Sequence, residues 1–157
     1  MTEATQSAPA PRGIGGWLIL PIVHLGLNAI LIALNAATGI AEGYGLIAPA
    51  GGAPPLPHDL NLALLTMSWF EAGLLAYAGL CAVQFARARK QVPYLMIGFY
   101  VLLLTMTLAE YFFADAVKTS PESLSEPIRA AVRTAIAAAV WIPYFLVSKR
   151  VKNTFVR

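Results

Sequence analysis

Residues 17–40 read WLILPIVHLGLNAILIALNAATGI and contain no Asp, Glu, Lys or Arg. A membrane-spanning helix needs about 20 consecutive, mostly apolar residues. This stretch therefore predicts a helix that crosses the hydrocarbon core of a bilayer. The rest of the chain has the same character, because 58% of its 157 residues are hydrophobic and only 12% are charged. A soluble domain carries about 25% charged residues.

The remaining sequence predicts an all-α membrane protein with one four-helix transmembrane bundle over 13–157. Residues 1–12 are polar and rich in Ala, Pro, Ser and Thr, which predicts a disordered tail. Gly and Pro residues between 41 and 59 predict a loop. We expect a basic C-terminal tail at 149–157. Including the first, the four spanning helices are expected at about 17–40, 60–85, 93–117 and 127–148.

Basic residues cluster in the segments that should lie on one side of the membrane. The loop after the first helix has none, and the loop after the third has only Lys118 before Arg129. Cytoplasmic loops carry an excess of Lys and Arg, so we expect both chain ends in the cytoplasm. The residues in the hairpin between the second and third helices and in the tail are Arg87, Arg89, Lys90, Lys149, Arg150, Lys152 and Arg157.

Ionisable residues also lie within the predicted spans. Glu71 is near the middle of the second helix, and Glu110 and Arg133 lie in the outer halves of the third and fourth helices. At about 1.5 Å of rise per residue, the last two have similar depth. We expect Glu110 or Glu71 to pair with Arg133, and Arg129 to pair with Asp115 nearer the outer surface. Such pairs either fix which helices meet or line a substrate or proton site.

The first helix carries a polar stripe made of His24, Asn28 and Asn35, which share one face. A stripe of this kind normally hydrogen-bonds to neighbouring helices. A metal site would need further ligands, and the other histidine, His58, lies on the outer loop. We therefore expect no metal and no cofactor. The sequence also shows no phosphate-binding loop, nucleophile triad or haem motif, so we expect no enzyme.

Small residues recur along the first helix at helix-packing spacing: Gly26, Ala29, Ala33 and Ala36. They predict a face that approaches another helix closely.

Aromatic and basic residues mark the two ends of the chain. Trp17 is expected to anchor the first helix at the membrane interface. Tyr144 lies on about the same face as Arg133, so it either extends the polar stripe inward or anchors the helix at the interface. The tail from Ser148 onward mixes basic and apolar residues. It is expected either to bind anionic lipid or to dock a cytoplasmic partner.

Two segments together resemble a known family. GIGGWL at 13–18, and WIPYF at 141–145 with SKRVKNTF at 148–155, are similar to the DUF2569 family of bacterial membrane proteins. Phe70-Glu71 and the basic turn before Pro93 are similar as well. The resemblance implies a four-span protein of the bacterial inner membrane and implies little about activity. The positions that match the family's motifs here are Trp17, Glu71, Trp141, Tyr144, Lys149 and Arg150.

The sequence leaves two functions open. The first is a small accessory or scaffold protein that binds a membrane partner or another copy of itself. The second is a small transporter or permeation subunit that uses Glu71, Glu110 and Arg133. The expected partners are the bilayer, anionic lipid at the tail and a second copy or a membrane protein. The net charge of +3 arises from residues that flank apolar runs, so we expect no nucleic acid.

The expected orientation can be checked with reporter fusions. A reporter that is active only in the periplasm, fused after Gly51, should give signal, because the loop at 41–59 has no Lys or Arg. The same reporter fused after Arg157 should be silent. The opposite pattern would show that the orientation is inverted.

Overall fold

A computed structural model describes residues 16–49, 54–116 and 125–155 of the chain. The predicted tail at 1–12, most of the polar segment around Lys118 and the final Arg157 lie outside these residues. A 3₁₀ turn at Gly16–Leu18 leads into the first helix. The helices are α1 at Ile19–Gly43, α2 at His58–Ala86, α3 at Val92–Ala116, α4 at Ser125–Val147 and α5 at Lys149–Thr154.

The prediction of an all-α protein with four spanning helices is confirmed. Each of α1 to α4 is long and apolar enough to cross a membrane. Their ends lie within three residues of the predicted ones, because the apolar runs are bounded by Gly, Pro and charged residues that end a helix. Many large apolar side chains on these helices are exposed, as expected for surfaces in contact with lipid tails.

The four long helices pack in chain order. α1 packs on α2, α2 on α3, and α3 on α4, whereas the backbones of α1 and α4 come close at few points. The gap between the first and last long helices is therefore wider than the gaps between helices that follow each other in the chain. The protein has two distinct ends. The basic end holds the 3₁₀ turn, the α2–α3 turn and α5, and the loop end holds the segment between α1 and α2.

α1 and α2 approach each other most closely near the loop end. A Cβ at Gly39 would collide with the Ser68 hydroxyl, and one at Gly43 would lie 2.5 Å from Leu65 Cδ2. Gly39 and Gly43 are four residues apart, which is the spacing at which small residues let two membrane helices approach each other closely. Of the four small residues predicted for this role, Gly26 has no described atom of another element within 4 Å of its Cβ position, whereas Ala36 is buried. The close approach thus lies at the loop end of the predicted stripe and beyond it.

The segment expected as a basic tail folds into α5. The Ser148 hydroxyl caps this helix by accepting the Val151 N–H at 3.4 Å. Val151 is fully buried, and the Phe155 ring packs edge-on against Phe85 with centroids 5.0 Å apart. The apolar residues of the tail therefore close the basic end of the bundle, and Lys149 and Lys152 remain exposed.

Two helices end in the same hydrogen-bonded turn with different residues at its critical position. α1 ends with Gly45 donating to the Glu42 carbonyl and Leu46 donating to the Ala41 carbonyl. α2 ends in the same way, with Ala88 in the place of Gly45. Both residues have left-handed backbone, with φ of +69° at Gly45 and +48° at Ala88. Only glycine adopts this conformation without a steric cost.

Substitutions at these two positions should have opposite effects on stability. Ala88→Gly should raise the free energy of unfolding by about 1 kcal/mol, because it removes the clash of a Cβ in the left-handed region. Gly45→Ala should lower it by a similar amount. Unfolding of the purified protein in detergent, followed by circular dichroism, measures both. A loss of stability in Ala88→Gly would contradict this description of the turn.

Candidate functional site

A polar cavity lies inside the bundle, in the half nearer the loop end. Its volume is about 70 Å³, and all four long helices line it. Apolar side chains, among them Ile32, Leu74 and Leu103, form part of its wall. Its polar lining consists of Asn28, Asn35, Glu71, Thr107, Glu110, Arg133 and Thr134.

A second and larger cavity joins the first to the loop end. It measures about 220 Å³ and shares Asn35, Glu71 and Glu110 with the inner cavity. It continues past Thr38 to Glu42 in the last turn of α1. A space this size with several polar partners can hold water. The structure thus provides a polar route from the loop end to the middle of the bundle.

Two carboxyl groups meet where the cavities join. Glu71 lies in the buried stripe of α2, with Ser68 and Leu74 three residues to either side, and is only 7% exposed. Glu110 of α3 and Asn35 of α1 line the same two cavities, so the two carboxyls and the Asn35 amide lie together. Two carboxylates that share a site away from bulk water repel each other, which favours binding of a proton to one of them. We call Glu71 and Glu110 the carboxyl pair.

Arg133 lines the inner cavity from α4. Its side chain is exposed, and it forms no ion pair or hydrogen bond with any other described residue. The expected direct pairing of Arg133 with Glu71 or Glu110 is therefore wrong, although the three residues do share one cavity. The two carboxyls lie beside each other instead, and the exposed guanidinium of Arg133 lies at the cavity edge.

The expected pair of Arg129 with Asp115 is also wrong. The Arg129 guanidinium lies 3.3 Å from the Glu126 carboxylate, one turn earlier in the same helix. Asp115 is exposed in the last turn of α3. A partner three residues away on one helix is always within reach, whereas a pair between helices needs a suitable crossing. Exposed pairs of this kind contribute little to stability.

The polar stripe of α1 connects the inner cavity to α3. The Asn28 amide donates to the His24 backbone carbonyl at 2.7 Å and contacts His24 Nε2 at 3.2 Å. His24 Nδ1 lies 3.2 Å from the Tyr100 hydroxyl. If Asn28 donates to Nε2, the neutral ring carries its proton on Nδ1 and donates to Tyr100. Nothing in the local sequence singled out Tyr100, which is fully buried.

Below Tyr100 most buried side chains are apolar. Leu18, Met96 and Phe99 are fully buried there and pack in one core with Val151. The described residues contain no group of three or more His, Cys, Asp or Glu side chains that could hold a metal ion. The continuous polar lining thus ends near Tyr100, and the buried polar atoms nearer the basic end, among them Arg150 Nε, are isolated from it.

The remaining motif residues lie at the basic end, away from the cavities. Trp141 packs edge-on against Tyr144, with centroids 5.7 Å apart. The Tyr144 hydroxyl is buried without a hydrogen-bond partner among the described residues. The Arg150 guanidinium lies against Gly16, so a Cβ there would be 2.9 Å from its Nη1. Trp17 is exposed, as expected for an interfacial anchor.

Comparisons with known proteins give a single kind of result. No curated protein and no solved structure matches the chain. A family model described as a protein of unknown function, DUF2569, matches residues 11–156. This match covers nearly the whole chain, including both ends of the bundle and the cavity between them, so the chain belongs to the DUF2569 family.

Proposed function

We propose that the chain is a non-catalytic membrane protein that binds and releases a proton at the carboxyl pair, as the ion-binding part of a small transporter or permeation subunit. The observation that carries this proposal is that Glu71 and Glu110 lie together in two cavities, the larger of which reaches Glu42 at the loop end. Chains of Glu and His side chains within a bilayer are typical of proton pathways.

The charges of the site support proton exchange. With one proton on the carboxyl pair, the pair carries one negative charge, which the guanidinium of Arg133 at the cavity edge balances. Loss of that proton leaves two adjacent negative charges in a region of low dielectric. The empty pair therefore attracts another proton or a cation, and the site alternates between two states that differ in charge.

Along the bundle, the carboxyl pair is accessible from the loop end and closed toward the basic end, which also supports transport. The polar route runs from Glu42 to Tyr100, and the apolar core with Met96 and Phe99 closes the other end. A transporter exposes its central site to one side of the membrane at a time. A site that is open at the loop end and closed at the basic end has the arrangement of one such state.

An accessory role at the basic end is the second candidate, and α5 favours it. This helix buries Val151 and Phe155 and exposes Lys149 and Lys152. Each basic residue near an anionic membrane surface contributes about 1 kcal/mol of attraction. We propose that this end faces the cytoplasm in a bacterial inner membrane and contacts anionic lipid, a membrane protein or a second copy there. The exposed Arg87, Arg89 and Lys90 add to the same surface.

Thiol labelling tests whether water reaches the carboxyl pair. Met67 and Leu75 both lie half-buried on α2, one turn to either side of Glu71. Met67 lines the larger cavity, and Leu75 packs against the apolar core. Met67→Cys should react with a charged methanethiosulfonate several times faster than Leu75→Cys, because a thiolate in contact with water attacks the reagent's sulfur and displaces its sulfinate. Mass spectrometry of the labelled protein in lipid nanodiscs measures both rates.

The background for this experiment is Cys81→Ala, which removes the single native thiol. Cys81 is buried, so wild-type protein treated with the same reagent should remain unlabelled and provides a further control. Equal, slow labelling at both positions would mean that the centre of the bundle is dry. That result would reject the proton-exchange proposal and favour the accessory role.

A further inference from the structure

The inner cavity opens sideways as well as toward the loop end. α1 contributes Asn28, Leu31 and Asn35 to its lining, and α4 contributes Arg133 and Thr134. The backbones of these two helices come close at few points, and the Arg133 side chain at the cavity edge is exposed. We name the gap between these five residues the side opening. Because the outer surfaces of both helices are apolar, the side opening faces lipid.

The side opening places a positive charge where lipid tails would otherwise lie. Arg133 is eight residues into α4, roughly 12 Å along the helix from Ser125. Its side chain is exposed and unpaired among the described residues. A charged side chain at such depth is costly unless it pairs or reaches water. The guanidinium therefore favours an anionic group that enters the same space.

Apolar residues flank this charge on both helices. Leu27 and Leu31 on α1 are 58% and 49% exposed, and Val132 and Ile136 on α4 are 53% and 61% exposed. A ligand that combines an anionic head with an apolar chain would contact Arg133 and these side chains together. The head must be small, since the inner cavity measures about 70 Å³. The planar fork of a guanidinium matches a carboxylate.

We propose that the side opening binds a fatty acid from the bilayer, with its carboxylate on Arg133 and its chain between the apolar faces of α1 and α4. This proposal rests on the proton-binding function, because the site must also accept the acid's proton. Bulk lipid phosphates stay at the membrane surface, whereas a neutral carboxylic acid can enter the hydrocarbon core. At Arg133 the acid's O–H bond breaks, and its proton goes to the charged member of the carboxyl pair.

The charges balance after this transfer. Glu71 and Glu110 are then both protonated and neutral, and the bound carboxylate neutralises Arg133. Binding of the fatty acid and proton uptake by the carboxyl pair are therefore coupled. Removing the charge of Arg133 should weaken binding of an anionic ligand, whereas removing a charge of the carboxyl pair should not. A cationic ligand would give the opposite pattern.

Binding of a dansyl-labelled undecanoic acid to the full chain in phosphatidylcholine nanodiscs tests this proposal. Energy transfer from the native tryptophans to the dansyl group reports binding, with empty nanodiscs giving the background from lipid alone. Arg133→Gln should weaken binding at least tenfold, since it removes the charge partner of the carboxylate. Arg129→Gln is the matched control and should bind as wild type does, because Arg129 lies one turn away and pairs with Glu126.

Glu110→Gln gives a second test that leaves Arg133 intact. The Gln amide keeps one position of the pair neutral at every pH. Binding of the dansyl acid should therefore persist or tighten, and its affinity should depend less on pH. Weaker binding in Glu110→Gln with stronger binding in Arg133→Gln would indicate a cationic ligand and overturn the proposal. Fast labelling of Met67→Cys with no effect of Arg133→Gln on the dansyl acid would reject the fatty acid and leave the proton site standing.

Discussion

Two carboxyl groups side by side within a membrane cannot both stay charged without a bound proton or a cation beside them, and the polar groups of the bundle meet around this constraint. The close approach of α1 to α2 at Gly39 brings the Asn35 amide to Glu71. α3 supplies Glu110, and α4 supplies the positive charge of Arg133. Each spanning helix thus contributes at least one polar group to a site that none of them could stabilise alone.

The interior is polar around the carboxyl pair as far as Tyr100 and mostly apolar from there to the basic end. α5 and the 3₁₀ turn close the basic end. Most family-matching positions, including Trp17, Trp141 and Arg150, lie near the basic end, and Glu71 alone belongs to the cavity. The positions that match the family therefore lie at the closed basic end as well as in the cavity.

Much of the fold could be predicted because uninterrupted apolar runs permit only helices in a bilayer. The residues that share a cavity were also predictable in part, since Glu71, Glu110 and Arg133 are rare within spans. Their partners were not, because helix rotation decides whether Glu110 faces Glu71 or Arg133. α5 is too short to show a clear period, and its signal was only the four-residue spacing of Val151 and Phe155. A lone Tyr100 in an apolar run gives no local indication of its bond to His24.

A proton on the carboxyl pair can be observed directly by infrared spectroscopy of the protein in nanodiscs at neutral pH. A protonated carboxyl has a C=O stretching band that an ionised carboxylate lacks. The spectrum of wild type minus the double variant Glu71→Gln/Glu110→Gln should show this band, because the variant has an amide at both positions. Absence of a protonated-carboxyl band from this difference spectrum would mean that the pair holds no proton, which contradicts the proposed proton site.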